Sequence, residues 1–414
     1  MDVLQIATAG SVDDGKSTLI GRLLYETNSI TTDRLEAIQQ ASARKGIGFL
    51  DLSLLTDGLI AEREQGITID VAHIYFNTPR RKFIIADSPG HEEYTRNMVT
   101  GASRAEVSVI LVDARKGIVE QTHRHYFIAN LLRIPYVVVC VNKMDLVGYD
   151  SHVFEAIRQR FEQLAAQLPN QQQQLIFIPV SSLHGDNITT SSAHMRWYTG
   201  KPLLAQLEEV EVQRTAQHKP FRMPVQYVIR PRNEQHHDFR GYAGRIASGT
   251  LRVGDTIVTL PSGRSSKVKN IHQYTAALTE AHARQSVTVT LEDDVDISRG
   301  DMLVKAEEQP ALATQLAAMV CWLHPQPLTP GKTYWLQWGT LLTKAKVTSL
   351  DFVQEPTTLE KKSLPELKMN GIARVQMKTA KPLPADRYAE NPANGSFIVI
   401  DEFSNATVGV GVAE

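Results

Sequence analysis

The stretch GSVDDGKST (residues 10–18) fits G-x-x-x-x-G-K-[ST], the pattern with which a backbone loop cradles polyphosphate. The grip in such a loop comes from successive N–H groups and from the positive end of the following helix. Acidic side chains need not meet the ligand, so Asp13 and Asp14 are expected to point away from it. Gly10 and Gly15 permit the turn around Ser11 and Val12. Lys16 is placed to reach the outer phosphates and act on them, and the Ser17 hydroxyl, followed by Thr18, to ligand Mg²⁺.

Three further motifs each follow an apolar run. DSPGH (87–91) puts Asp87 at the carboxyl end of a strand, where an open α/β sheet binds ligands. Its carboxylate is expected to act on the Mg²⁺ shell, and the Gly90 N–H, beyond Ser88 and Pro89, to sense a γ-phosphate. In NKMD (142–145) an aspartate at the last position, Asp145, can accept hydrogen bonds from guanine N1 and N2, which adenine lacks. Asn142 and Lys143 are expected to brace that loop and pack on the base, with Met144 in the same nucleotide site. SSL (181–183; Ser181, Ser182, Leu183) is placed to offer a backbone contact to guanine O6. The nucleotide read from these residues is GTP or GDP. Thr68, in EREQGITID, takes the place of the threonine that closes over Mg²⁺ and the γ-phosphate in GTPases and leaves after hydrolysis. His91 takes the place of the residue that orients the attacking water.

The elements that must position these groups are legible as strands alternating with helices. VLQIA (3–7), KFIIAD (82–87), VSVILVDA (107–114), YVVVCVNK (136–143) and LIFIPVSS (175–182) are apolar on consecutive positions, as strands buried on both faces are. KSTLIGRLLYE places Leu19, Ile20, Leu23 and Leu24 on one helical face, and residues 151–168 do so with Val153, Ile157, Phe161, Leu164 and Leu168. ITIDVAHIYF (67–76) alternates and leads through NTPRRK into KFIIAD, which predicts an antiparallel hairpin at the sheet edge. QQQQ (171–174) reads as a solvated loop. After residue 214 short strands and turns replace helices. The fold class expected is therefore multidomain, α/β plus all-β: a doubly wound, mostly parallel phosphate-loop GTPase domain (1–214) followed by two β-barrel domains (215–308 and 309–414).

The 414 residues carry 44 basic and 45 acidic side chains, a balance that gives no electrostatic reason to expect a nucleic-acid partner. No apolar run is long enough for a membrane helix, and the first apolar segment runs straight into the phosphate loop, so a cytoplasmic protein is expected. Cys140 and Cys321 lie in apolar surroundings and read as buried thiols. His123, His125, His236 and His237 lack accompanying ligands at metal-site spacing and read as packing or surface residues.

With these motifs in this order, the first domain resembles translation-factor-type GTPases, AEREQGITID and DSPGHEEYTRNMVTGASRAE being the stretches that carry the likeness. GSVDDGKSTLIGRLLYET, LLTDGLIAEREQGITIDVAHIYFNTPRRKFIIADSPGHEEYTRNMVTGAS and LVDARKGIVEQTHRHYFIANLL are similar, more narrowly, to the GTPase subunit of bacterial sulfate adenylyltransferase. Ser11 and Asp14 depart from the loop of tRNA-carrying factors, so Asp14 marks the family more than it does chemistry. The resemblance implies a hetero-oligomer in which GTP hydrolysis drives formation of adenosine 5′-phosphosulfate from ATP and sulfate on a catalytic small subunit. No S-G-G-x-D-S loop occurs here, consistent with that division of labour. The kinase fused to some relatives is not expected, the residues ending at VGVGVAE. The alternative is a GTPase carrying aminoacyl-tRNA, which shares all these motifs; a regulatory GTPase leaves the β domains unexplained.

Overall fold

A computed structural model describes residues 2–44, 50–55, 72–88, 95–211, 214–231 and 239–414. Thr68, Pro89, Gly90, His91, His236, His237 and the start of the 67–76 strand lie outside them. The chain divides into two compact units, residues 1–212 with 356–358, and residues 213–355 with 359–414.

The first unit holds strands β1 (Val3–Ala9), β2 (Ala72–Asn77), β3 (Lys82–Asp87), β4 (Val107–Asp113), β5 (Tyr136–Asn142) and β6 (Gln174–Pro179). Its helices are α1 (Lys16–Glu26), α2 (Thr32–Arg44), α3 (Thr95–Ala102), α4 (Glu120–Leu131), α5 (Ser151–Ala165) and α6 (Leu203–Glu209). The strand order is β2-β3-β1-β4-β5-β6, parallel throughout except for β2, which pairs antiparallel with β3 at the edge. Every residue of β4 and β5 is buried, which explains their unbroken apolar runs. The α1 face of Leu19, Ile20, Leu23 and Leu24 packs with Leu4, Ile6, Phe83 and Val109 into the sheet core.

Two local expectations need correction. On α5 the buried stripe starts at Phe154 rather than Val153 and continues through Ile157, Phe161 and Leu164, a regular three-and-four spacing that the larger aromatic ring claims. The glutamine tract is also more than a solvated loop. Gln173 donates to the carbonyls of Ala129 and Ile134 and accepts from Asn130, so it closes the turn after α4, and Gln174 already begins β6.

The second unit is all-β. Its first part contains β7 (Arg222–Pro224), β8 (Tyr227–Ile229), β9 (Gly241–Arg245), β10 (Thr250–Arg252), β11 (Thr256–Leu260), β12 (Arg264–Gln273), β13 (Ala276–Leu278), β14 (Glu280–His282), β15 (Ser286–Leu291) and β16 (Met302–Lys305), of which β10 and β14 form a two-stranded sheet and the others one larger sheet. The path runs β7-β16-β11-β12-β15-β9-β8, and only Val225 and Gln226 separate β7 from β8, so a bend in one chain segment closes the ring. The second sheet contains β17 (Leu312–Trp322), β18 (Thr333–Trp338), β19 (Leu341–Gln354), β20 (Lys361–Lys362), β21 (Ile372–Pro384), β22 (Ser396–Ile400) and β23 (Thr407–Ala413). Pairing of β18 with β19 closes it into a six-stranded barrel, β18-β22-β23-β17-β21-β19. Each barrel has its own core, around Phe221, Tyr242 and Ile271 in one and Trp322, Trp338 and Phe397 in the other. Cys140 and Cys321 are both buried, as their surroundings imply.

Candidate functional site

Parallel register brings the functional side chains to one end of the sheet. Thr8 of β1 stands beside Asp87 of β3, and Asp113 of β4 beside Asn142 of β5, all at carboxyl ends. The phosphate loop spans the gap between β1 and α1. Gly15 has φ 90°, and a Cβ there would sit 2.5 Å from Asn142 Nδ2, so conformation and space both require glycine. Lys16 opens α1, whose first turn holds no acidic residue and no capping side chain.

The loop is braced from beneath. Asn142 Nδ2 donates to Asp14 O at 2.7 Å, while its Oδ1 accepts from both the N–H and hydroxyl of Ser182 at 2.9 Å. One amide thus ties the phosphate loop to the SSL loop. The carboxylate of Asp14 is buried and accepts the Ser11 N–H at 2.7 Å, holding the loop's own turn. Burial pushes the Asp14 carboxyl up to about 6, against the lowering effect of that hydrogen bond. Asp13 is exposed, with φ 69°, and its carbonyl accepts from Lys143.

Lys16 Nζ lies 2.9 Å from the buried carboxylate of Asp87 and also donates to Ser88 O. Thr8 Oγ1 donates to Asp87 at 3.0 Å. The Ser11 and Ser88 hydroxyls are buried without a hydrogen-bond partner. Unpaired buried hydroxyls are costly, and two of them at the edge of a phosphate loop mark positions that an oxygen-rich ligand can satisfy.

At the base end, Ser181 Oγ donates to Asp145 Oδ1 at 2.6 Å, which fixes the carboxylate expected to read guanine. The amides of Ser181 and Ser182 are used inside the protein, by Asp186 O at 3.2 Å and Asn142 Oδ1 at 2.9 Å, which narrows the expected O6 donor within SSL to Leu183. Met144 is fully buried beneath the loop and its N–H donates to Val180 O. Ser17 and Thr18, on the first turn of α1, are partly exposed.

Sequence reading misses Asp113. Its buried carboxylate holds Lys143 Nζ at 3.1 Å and Arg115 at 2.6 Å. Burial raises this carboxyl, but the hydrogen bonds from Arg115 and Lys143 outweigh it and hold the group well below the usual carboxylate range. The available signal is a charged residue ending an otherwise apolar strand, VSVILVDA. His123 and His125 fall on α4, and among the described residues no group of three or more His, Cys, Asp or Glu is placed to hold a metal ion. No helix among them is long and apolar enough to cross a membrane.

Residues 1–224 match the Elongation factor Tu GTP binding domain, and residues 315–414 the GTP-eEF1A C-terminal domain-like family. The chain is 49% identical over 412 residues to Sulfate adenylyltransferase subunit 1 of Salmonella paratyphi C, covering 99% of this chain and 85% of that protein. It is 48% identical to the protein of the same name from Citrobacter koseri, covering 99% and 86%. It is likewise 48% identical to the Bifunctional enzyme CysN/CysC of Mycobacterium tuberculosis, covering 99% and 67%. The chain belongs to the sulfate adenylyltransferase subunit 1 family, within the elongation factor Tu type of GTP-binding proteins.

Proposed function

We propose that this chain is the GTP-hydrolysing subunit of a sulfate adenylyltransferase of the cytoplasm. GTP hydrolysis here drives the formation of adenosine 5′-phosphosulfate and pyrophosphate from ATP and sulfate on a separate catalytic subunit. The observation that carries the reading is 49% identity, over 99% of the chain, to a protein named sulfate adenylyltransferase subunit 1. The uncapped first turn of α1 and the unpartnered hydroxyls of Ser11 and Ser88 support a phosphate ligand. The Ser181-held Asp145 supports guanine.

In this reading Lys16 leaves Asp87 for the outer phosphates of the nucleotide, trading one anionic partner for another. Ser17 and the released Asp87, with Thr68, are hard oxygen donors that suit Mg²⁺, which when bound neutralises phosphate charge. Asp145 accepts from guanine N1 and N2 while the Leu183 N–H meets O6. Thr68 and the Gly90 N–H respond to the γ-phosphate, and His91 orients the attacking water. Loss of the γ-phosphate then releases these segments, and the partner subunit responds only if it contacts them differently in the two states.

The test is GTP hydrolysis by this chain mixed with a sulfate adenylyltransferase small subunit, with and without ATP plus sulfate. Hydrolysis is expected to rise only when partner and both substrates are present. Slow hydrolysis there, with aminoacyl-tRNA binding to the GTP form, makes the protein a carrier instead.

A further inference from the structure

Helix α1, which leaves the phosphate loop, is also joined to the SSL loop, through a side chain that lies outside the nucleotide-binding motifs. Arg22 lies on α1 and its side chain is only 17% exposed. Its Nε donates to Ser182 O at 3.2 Å and its Nη2 donates to Leu183 O. A trans peptide is planar, and its C=O and N–H point in opposite directions. The Ser182 carbonyl shares its plane with the Leu183 N–H, and the Leu183 carbonyl with the His184 N–H. Drawing both carbonyls onto α1 therefore turns both N–H groups away from the helix. The His184 N–H meets Ser181 Oγ at 3.4 Å, the same hydroxyl that donates to Asp145. So the face to which these amides turn is the face of the base-reading carboxylate.

Arg22 is itself held. Its Nη1 lies 3.7 Å from Glu26 Oε1, one turn along α1, and Glu26 Oε2 accepts from the hydroxyl of Thr189. Gly185, at φ 85°, passes so close that a Cβ there would stand 2.4 Å from Glu26 Oε1. Residues 182–189 thus rest on a shelf made by Arg22 and Glu26, on the helix that begins with Lys16.

We propose that Arg22 is a positioning residue for base specificity: it aims the Leu183 amide at guanine O6 and sets its distance from the phosphate loop. This rests on the GTP reading above, and deepens it. With the amides of Ser181 and Ser182 already engaged, recognition of O6 within SSL depends on the Ser182–Leu183 peptide, one of the two that Arg22 orients. A role in folding alone would lower affinity for every nucleotide equally. A role in aiming lowers it selectively, for ligands that carry a good acceptor at position 6.

The experiment measures dissociation constants of the full chain for GDP, inosine diphosphate and 6-thioguanosine diphosphate by titration calorimetry. Inosine diphosphate keeps O6 and lacks the N2 amine; the thio analogue keeps N1–H and the amine but carries a poor acceptor at position 6. Arg22→Ala is expected to reduce the preference for GDP over the thio analogue by roughly tenfold, the worth of one hydrogen bond. The preference for GDP over inosine diphosphate is expected to stay unchanged. Arg22→Lys, which can hold one carbonyl but not two, is expected to fall between, and it supplies the same ratios if the alanine variant does not fold. Equal loss for all three ligands, or no change in the first ratio, overturns the proposal. A wild-type chain that does not prefer GDP to ADP overturns the GTP reading itself.

Discussion

Asp14 sits in a loop built for negative ligands, yet its carboxyl is turned into the protein, where Oδ2 receives the Ser11 N–H. Burial raises this group from 3.8 to about 6. The sign of the consequence follows from linkage: a folded-state pKa above the unfolded value means that the folded chain binds the proton more tightly. Its stabilisation is complete below the unfolded value near 4 and is lost as pH rises through 6. Asp14→Asn keeps an acceptor for Ser11 and cannot ionise. The nucleotide-free variant is therefore expected to be more stable than wild type at pH 7, by up to about 3 kcal/mol, with the advantage vanishing toward pH 4. Urea unfolding at several pH values checks this, and a difference independent of pH refutes it. Asp113 shows the opposite balance, because two cations meet its buried carboxylate and keep it ionised. Lys143 is thereby held beside Gly15, and this carboxylate fixes where the lysine stem lies.

The β2–β3 hairpin shows what an element needs beyond its own sequence. NTPRRK reads as a basic turn, yet Arg81 is buried: it pairs with Asp2 at 2.7 Å and donates to the carbonyls of Leu207 and Val210 at 3.0 and 2.6 Å. Thr78 adds a 2.6 Å bond to Glu208. The hairpin is thus tied to α6 and to the start of the chain. Arg81→Met leaves those two carbonyls without donors and is expected to cost about 2–4 kcal/mol, read as a lowered urea midpoint with an unchanged slope. A shift equivalent to less than about 1 kcal/mol removes the tie from the account. This contrast explains what was legible in the sequence. Gly15, Lys16, Asp87, Asn142 and Asp145 could be proposed because binding a phosphate chain and a guanine base would demand fixed types at fixed local spacing. The parallel sheet was legible because burial on both faces leaves unbroken apolar runs, while β6 stops at Pro179, short of the run expected to reach residue 182. Arg22 and Arg81 escaped notice because the carbonyls and carboxylates they hold lie far along the chain, and Asp113 because only the fold brings Lys143 to join its neighbour Arg115 on one carboxylate. The barrels were legible as many short strands, but not their order, which register and closure decide.

At the scale of the whole molecule, the all-β unit contains two closed sheets with separate cores, and a buried polar cluster joins them. Arg222, on β7, forms a fork with Asp386 through Nε and Nη2, both at 2.9 Å, and its Nη1 donates to the carbonyls of Phe221 and Glu308. Asn391 and Asn394 donate to the same carboxylate at 2.8 and 3.1 Å, and Asn391 also reaches Ser248. Both charged side chains are nearly out of water, at 3% and 12% exposure, so each has lost most of its hydration and relies on the other. Removing one partner strands the other. Arg222→Met is expected to destabilise the protein by about 3–5 kcal/mol and to separate the unfolding of the two barrels into distinct steps. Replacing both partners, with Arg222→Met and Asp386→Leu together, removes the stranded charge and is expected to recover much of that loss. Chemical denaturation followed through tryptophan fluorescence reports chiefly the second barrel, whose core holds Trp322 and Trp338, and circular dichroism reports both. If the single variant unfolds in one step at the wild-type midpoint, the charge pair does not couple the barrels. If the single variant splits the transition and the double variant rejoins it, the pair's contribution is specificity of docking rather than net attraction, since apolar packing then serves the same joint.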